Sequence, residues 1–165
     1  MILMLSRTQN IFLLILIFVP LVWSQTDRAV LIDSFEYPDC DSYLARMDYV
    51  SIQVSNNPSK RFVIFVYEGK TIRTERKNGK SSTGWFLPEY GLGKAKIRSM
   101  KKYLASKGVQ LSRFSFLPVR FREKFSVEIW MVPDGVASPT PTPTVKKMRY
   151  RKGKPSGFCM NCCDF

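Results

Sequence analysis

Four cysteines and a surplus of lysine and arginine are the residues best placed to do chemistry here, and histidine is absent from all 165 positions. Its absence removes the commonest general base, the Ser-His and Cys-His pairings, and any imidazole ligand for a metal. Cys159-Met-Asn-Cys162-Cys163 lies near the end of the sequence and Cys40 stands far from it. An even set of four is the pattern of a disulfide framework in an exported protein, and it allows three connectivities. Cys162 and Cys163 are adjacent, which strains a bridge between them and makes Cys40 or Cys159 the better partner for either. One arrangement ties Cys40 to the tail and folds the basic segment back over the body. A soft-metal site at Cys159, Cys162 and Cys163 is an alternative, since thiolates favour zinc or copper(I), and free thiols are a third.

The carboxylates point away from catalysis. Asp39 with Asp41, and Glu123 with Glu128, fall on turns and strands without convergent partners, as helix caps and solvated strand faces do. Gly79, Gly84, Gly91 and Gly93 do not make a phosphate-binding spacing, so neither a nucleotide nor another cofactor is indicated. The expectation is a protein that is not an enzyme. Its formal charge of +13, from 26 basic and 13 acidic side chains, directs attention to anionic partners. Aromatic residues are sparse around the basic segments, which fits an electrostatic patch better than readout of specific nucleic-acid bases.

These residues must be held by a small framework. Apolar residues make up 45% and aromatics 13%, enough for one core, and the length suits one domain with appendages. Arg7, the apolar run Ile11–Val22 and the small Ser24 before Gln25 form the pattern of a cleaved signal peptide over residues 1–24, and retention as an anchor is the alternative. The run falls short of the roughly 20 residues a bilayer span needs. Export, to the periplasm or outside the cell, is the expectation.

Residues 25–134 then read as an α+β domain. Arg28–Asp33 is a strand, closed by Pro38. Asp39, Asp41 and Ser42 can each cap a helix carrying Tyr43, Met47, Val50 and Val54 on one face, although Val50, Ile52 and Val54 also alternate as in a strand. Arg61–Tyr67 is a continuous apolar run, the signature of a strand buried on both sides. Glu68–Pro88 reads as a long polar loop, with Trp85 and Phe86 either anchoring it or offering a stacking platform. Ile97, Met100 and Leu104 set the buried stripe of a second helix, with Lys94, Arg98, Lys101 and Lys102 outside it and Gly108 as its left-handed stop. Gln110–Val119 and Lys124–Val132 complete the strands, the latter alternating Phe125, Val127, Ile129 and Met131 against Ser126, Glu128 and Trp130. Residues 135–145, with Ser138-Pro-Thr-Pro-Thr-Pro-Thr144, read as a stiff extended linker. Residues 146–165 carry Lys146, Lys147, Arg149, Arg151, Lys152 and Lys154 and read as a basic tail, disordered unless a partner orders it.

The order strand, helix, strand, loop, helix, strand, strand, together with Ala45-Arg-Met…Val54-Ser-Asn-Asn-Pro58, Leu92…Lys96…Tyr103-Leu-Ala-Ser-Lys-Gly-Val109 and Leu111-Ser-Arg-Phe114, resembles the OmpA C-terminal-like domain. That module holds peptidoglycan in the cell envelope. The resemblance implies two helices on one face of a small mixed sheet, ordered β-α-β-α-β-β, and a ligand surface at Lys96, Lys70, Thr71 and Arg98. Where the family carries a Gly-x-Thr-Asp turn whose Asp grips the stem-peptide ammonium, this chain has Glu68-Gly-Lys-Thr71. Lys96 stands where the family's arginine pairs the stem carboxylate, and a lysine acts there as a point charge without the two-bond fork. The resemblance thus implies a non-catalytic envelope module for peptidoglycan or another anionic polymer. The alternatives are a secreted polycation working through its tail and a metal carrier using the tail cysteines.

Overall fold

In the computed structural model, residues 28–77 and 79–159 are described. The expected signal peptide, Cys162 and Cys163 lie outside them. Among the described residues the chain forms strand β1 (Val30–Phe35), helix α1 (Cys40–Asn56), strands β2 (Arg61–Lys77) and β3 (Lys80–Phe86), helix α2 (Leu92–Ser106), a 3-10 turn at Leu111–Arg113, and strands β4 (Phe114–Lys124) and β5 (Ser126–Val132). The class is α+β, as expected. None of these helices is long and apolar enough to cross a membrane.

The sheet is built on β2. Its first half pairs antiparallel with β5 on one edge and parallel with β4 on the other, and β1 lies antiparallel beyond β5. Phe62, Ile64 and Val66 face the helices, while Val63, Phe65 and Tyr67 face the opposite side in a second, smaller cluster. That double burial explains the unbroken apolar run. Both helices bury their stripes on the first face: Tyr43, Met47, Val50 and Val54 from α1, and Leu92, Ile97, Met100 and Leu104 from α2. The helical reading of Tyr43–Val54 therefore prevails over the strand reading. Asp39 caps α1 by accepting from Ser42 N at 2.7 Å, and Gly108 sits at φ +74 after α2.

Between β4 and β5 the chain must step from one edge of β2 to the other, and it does so across Gly69. A Cβ on Gly69 would lie 2.3 Å from the Lys124 carbonyl carbon and 2.5 Å from Phe125 N, so only glycine admits the crossing. Phe125 N donates to Lys70 O at 2.9 Å and seals the crossover.

Beyond this point β2 changes partner, which corrects the first expectation. The segment expected to be a long loop, Glu68–Pro88, is mostly a hairpin: Thr71–Lys77 pairs antiparallel with Lys80–Phe86, and Gly79 turns at φ +75. The element order thus gains a strand, β-α-β-β-α-β-β. Polar residues on both faces of this arm left no alternation to read.

The second correction concerns residues 135–159, expected to be a linker and a disordered tail. They wrap the body. Arg61 donates to Val136 O and to Ser138 Oγ, Thr142 N donates to Tyr67 Oη at 3.0 Å, and Thr144 N and Val145 N both donate to Phe121 O. The Pro/Thr stretch, already extended by its prolines, lies along the sheet side opposite the helices. The segment then reaches the helix layer, where Phe158 is only 7% exposed and belongs to the main core, and Cys159 is bridged to Cys40. The segment has few apolar residues of its own, and the body supplies its anchors.

Candidate functional site

The charged groups gather where α2 begins. Its first backbone groups need acceptors, and Gly93 N donates to Glu68 Oε1 at 2.7 Å, a carboxylate at the positive end of the helix. Glu68 Oε2 accepts from the Tyr150 hydroxyl at 2.6 Å. Glu89, 1% exposed just before the helix, takes Arg73 Nη2 at 2.6 Å on one oxygen and Arg151 Nε at 2.9 Å on the other. Two guanidiniums satisfy both oxygens of one buried carboxylate; removing either would leave one oxygen without its donor in a dry site.

Lys96 completes the cluster. It is 1% exposed, donates from Nζ to Gly157 O at 2.8 Å, and lies 4.6 Å from the Tyr37 ring centroid and 4.3 Å from that of Phe158. Burial, with the neighbouring Arg73 guanidinium, pushes its ammonium down from 10.5 to about 7, against the opposing pull of Glu89. Phe158 stacks on Tyr43 with centroids 4.2 Å apart, and Phe158 N donates to Ser99 Oγ at 3.0 Å. A ten-residue stretch from Tyr150 to Cys159 therefore occupies the groove beside α2, held by polar contacts at Glu68, Glu89, Lys96 and Ser99 and by the bridge to Cys40.

The expected ligand residues separate into two pairs. Lys96 and Thr71 are buried, and the Thr71 hydroxyl has no hydrogen-bond partner. Lys70 and Arg98 are exposed. Lys96 is thus placed beneath the chain's own tail rather than on an open surface. Arg98 joins Lys94, Lys101 and Lys102 on the solvent side of α2. Next to this cationic face lies an open cleft of about 640 Å³, lined by Tyr90, Tyr150, Phe121, Lys94 and Arg120 among others. Tyr90 is 77% exposed, its ring edge-to-face with that of Tyr150 at 5.4 Å. Trp85 is 43% exposed with Lys124 Nζ 5.0 Å from its ring centroid, so it is half anchored and half open.

Among the cysteines the structure pairs Cys40 with Cys159, their Cα atoms 5.7 Å apart across 119 residues. Among the described residues no three His, Cys, Asp or Glu side chains converge on a metal position. Glu128, expected on a solvated strand face, instead accepts from the Tyr67 hydroxyl at 3.0 Å and pairs with Arg122 at 2.5 Å. The sequence reading missed Glu68, Glu89, Tyr150, Arg151 and Phe158 as a group. Only the basic-aromatic character of 149–158 next to a cysteine hinted at them. Comparison with known proteins finds no family model, no curated protein and no solved structure that matches this chain.

Proposed function

We propose that the protein is an exported, non-catalytic interaction module that holds an anionic polymer of the cell envelope, peptidoglycan or one of similar charge, on the solvent side of α2. The observation that carries this reading is the exposed row Lys94, Arg98, Lys101 and Lys102 beside the cleft with the open Tyr90 ring. Cations supply long-range attraction to carboxylates, and an exposed tyrosine face beside them gives an apolar seat for sugar rings. The Cys40–Cys159 bridge supports export, because such bonds persist in oxidising compartments. The carboxylates that could serve as acid or base are engaged structurally: Glu68 at a helix start, Glu89 between two arginines, Glu128 with Arg122 and Tyr67. With Lys96 covered, the ligand contact shifts outward, to Lys94 and Arg98.

Cutting the chain at Gly135 would remove Phe158 from the core, so the test uses charge changes in the whole protein. Co-sedimentation with insoluble peptidoglycan compares wild type, a Lys94→Gln/Arg98→Gln/Lys102→Gln variant and a Lys146→Gln/Lys147→Gln/Arg149→Gln variant. The helix variant is expected to lose most binding and the tail variant little, with salt weakening both wild-type and tail-variant binding. Loss confined to the tail variant would favour the secreted polycation instead. No sedimentation of wild type would overturn the reading.

A further inference from the structure

The groove that residues 150–159 occupy has the features of a peptide-binding site with its ligand in place. Its polar fixtures are buried charges that solvent cannot satisfy: Glu89 for a guanidinium and Lys96 for a backbone carbonyl. Its apolar slot, formed by Tyr43, Phe35 and Phe125, receives one aromatic ring. Its shape also selects. A Cβ at Gly157 would meet Ser99 Oγ at 2.1 Å, and Gly153 adopts φ +145 with a Cβ position 3.2 Å from Glu89 Cγ. The occupant is read as Arg-x-Gly-x-x-x-Gly-Phe, from Arg151 to Phe158. One covalent bond, Cys40–Cys159, decides whether that occupant can leave.

We propose that the groove between α1, α2 and Glu89 is a binding site for extended peptides carrying an arginine and, seven residues on, a glycine-preceded aromatic ring, with residues 150–159 as its resident ligand and the Cys40–Cys159 bridge as its lock. While the bridge is intact, the tail is held at an effective concentration no free peptide can match. A protein dithiol opens it: one thiolate attacks a bridge sulfur to give a mixed disulfide, the second resolves it, and two electrons and two protons pass to Cys40 and Cys159 as the donor becomes a disulfide. The tail then exchanges with the solvent and with any peptide of the same chemistry. This site shares Tyr150 with the cleft beside the cationic face of α2, but its buried fixtures are Glu89 and Lys96, and its test does not depend on the polymer reading.

The experiment uses the whole chain with Cys162→Ser and Cys163→Ser, which prevents thiol exchange within the tail. Hydrogen exchange is followed before and after reduction by dithiothreitol. Amides of 150–159 are expected to exchange at least tenfold faster after reduction, with α1 and α2 still protected. A labelled peptide of residues 149–158 is then added to a reduced Arg151→Ala/Phe158→Ala protein, whose own tail has lost its ion pair with Glu89 and its buried ring. Saturable binding is expected there, absent with oxidised wild type and weakened at least tenfold when the peptide carries the same two alanines. Unchanged exchange on reduction would overturn the proposal, as would exchange rising uniformly through both helices, which would make the bridge a staple for the whole fold. A folded variant that ignores the peptide would overturn it too; if the variant does not fold, the exchange pattern of the reduced wild type decides.

Discussion

Replacing Lys96 with methionine tests the electrostatics of the buried cluster directly. The side chain is similar in length and apolar, so the slot stays filled and the titrating group is gone. In the folded wild type the ammonium loses its proton near pH 7, first because of burial and then because of Arg73. In the unfolded chain it keeps the proton to about 10.4. Between those values the unfolded state binds more protons, so stability rises with pH, by up to about 1.4 kcal/mol per pH unit. Integrated from pH 7 to 9, a native value of about 7 gives a gain of about 2 kcal/mol. Burial raises the Tyr43 hydroxyl, whose contribution is complete below its ordinary value near 10 and fades only above it, so this window is free of it. The carbonyl of Gly157 loses its donor in the variant, but that cost is the same at every pH and cancels from the slope. Urea unfolding at several pH values, with the bridge intact, should show wild-type stability climbing relative to Lys96→Met by about 2 kcal/mol over the window. Parallel curves for the two proteins would refute the claim that the folded state holds this ammonium at a penalty.

Two further changes probe the frame. Gly69→Ala forces a methyl group into the Lys124–Phe125 backbone and is expected to lower stability by about 3 kcal/mol or more, seen as a reduced denaturation midpoint. Arg113 donates to Val54 O, Asn57 O and Lys60 O, closing the carbonyl end of α1. Arg113→Ala should cost about 2 kcal/mol, with faster amide exchange in the last turn of α1 while β2 stays protected.

What the sequence disclosed were features that repeat locally. Tyr43, Met47, Val50 and Val54 recur at helical spacing and are all buried; Phe62–Tyr67 is apolar throughout and is buried on both sides. The β3 arm escaped notice because an outlying hairpin has no core face to print a pattern. Its sequence signal was the Asn78-Gly79 dipeptide, a turn former between two polar runs. Lys96 lies four residues before Met100, on the buried stripe, so helical spacing alone would have put it inside; the family resemblance put it on the ligand surface. The tail was illegible for another reason. Its anchors, Glu68, Glu89 and Ser99, lie 59 to 82 residues earlier, and nothing in a polar, proline-broken segment says which distant groups will receive it.

Phe158 inside the main cluster has a consequence for how the molecule is made. The slot between Tyr43 and Phe125 stays empty until almost the whole described chain exists, so a nascent chain can assemble its sheet yet still lack the final aromatic wedge. The same late segment carries Cys159, so the bridge to Cys40 can form only once that stretch has been made.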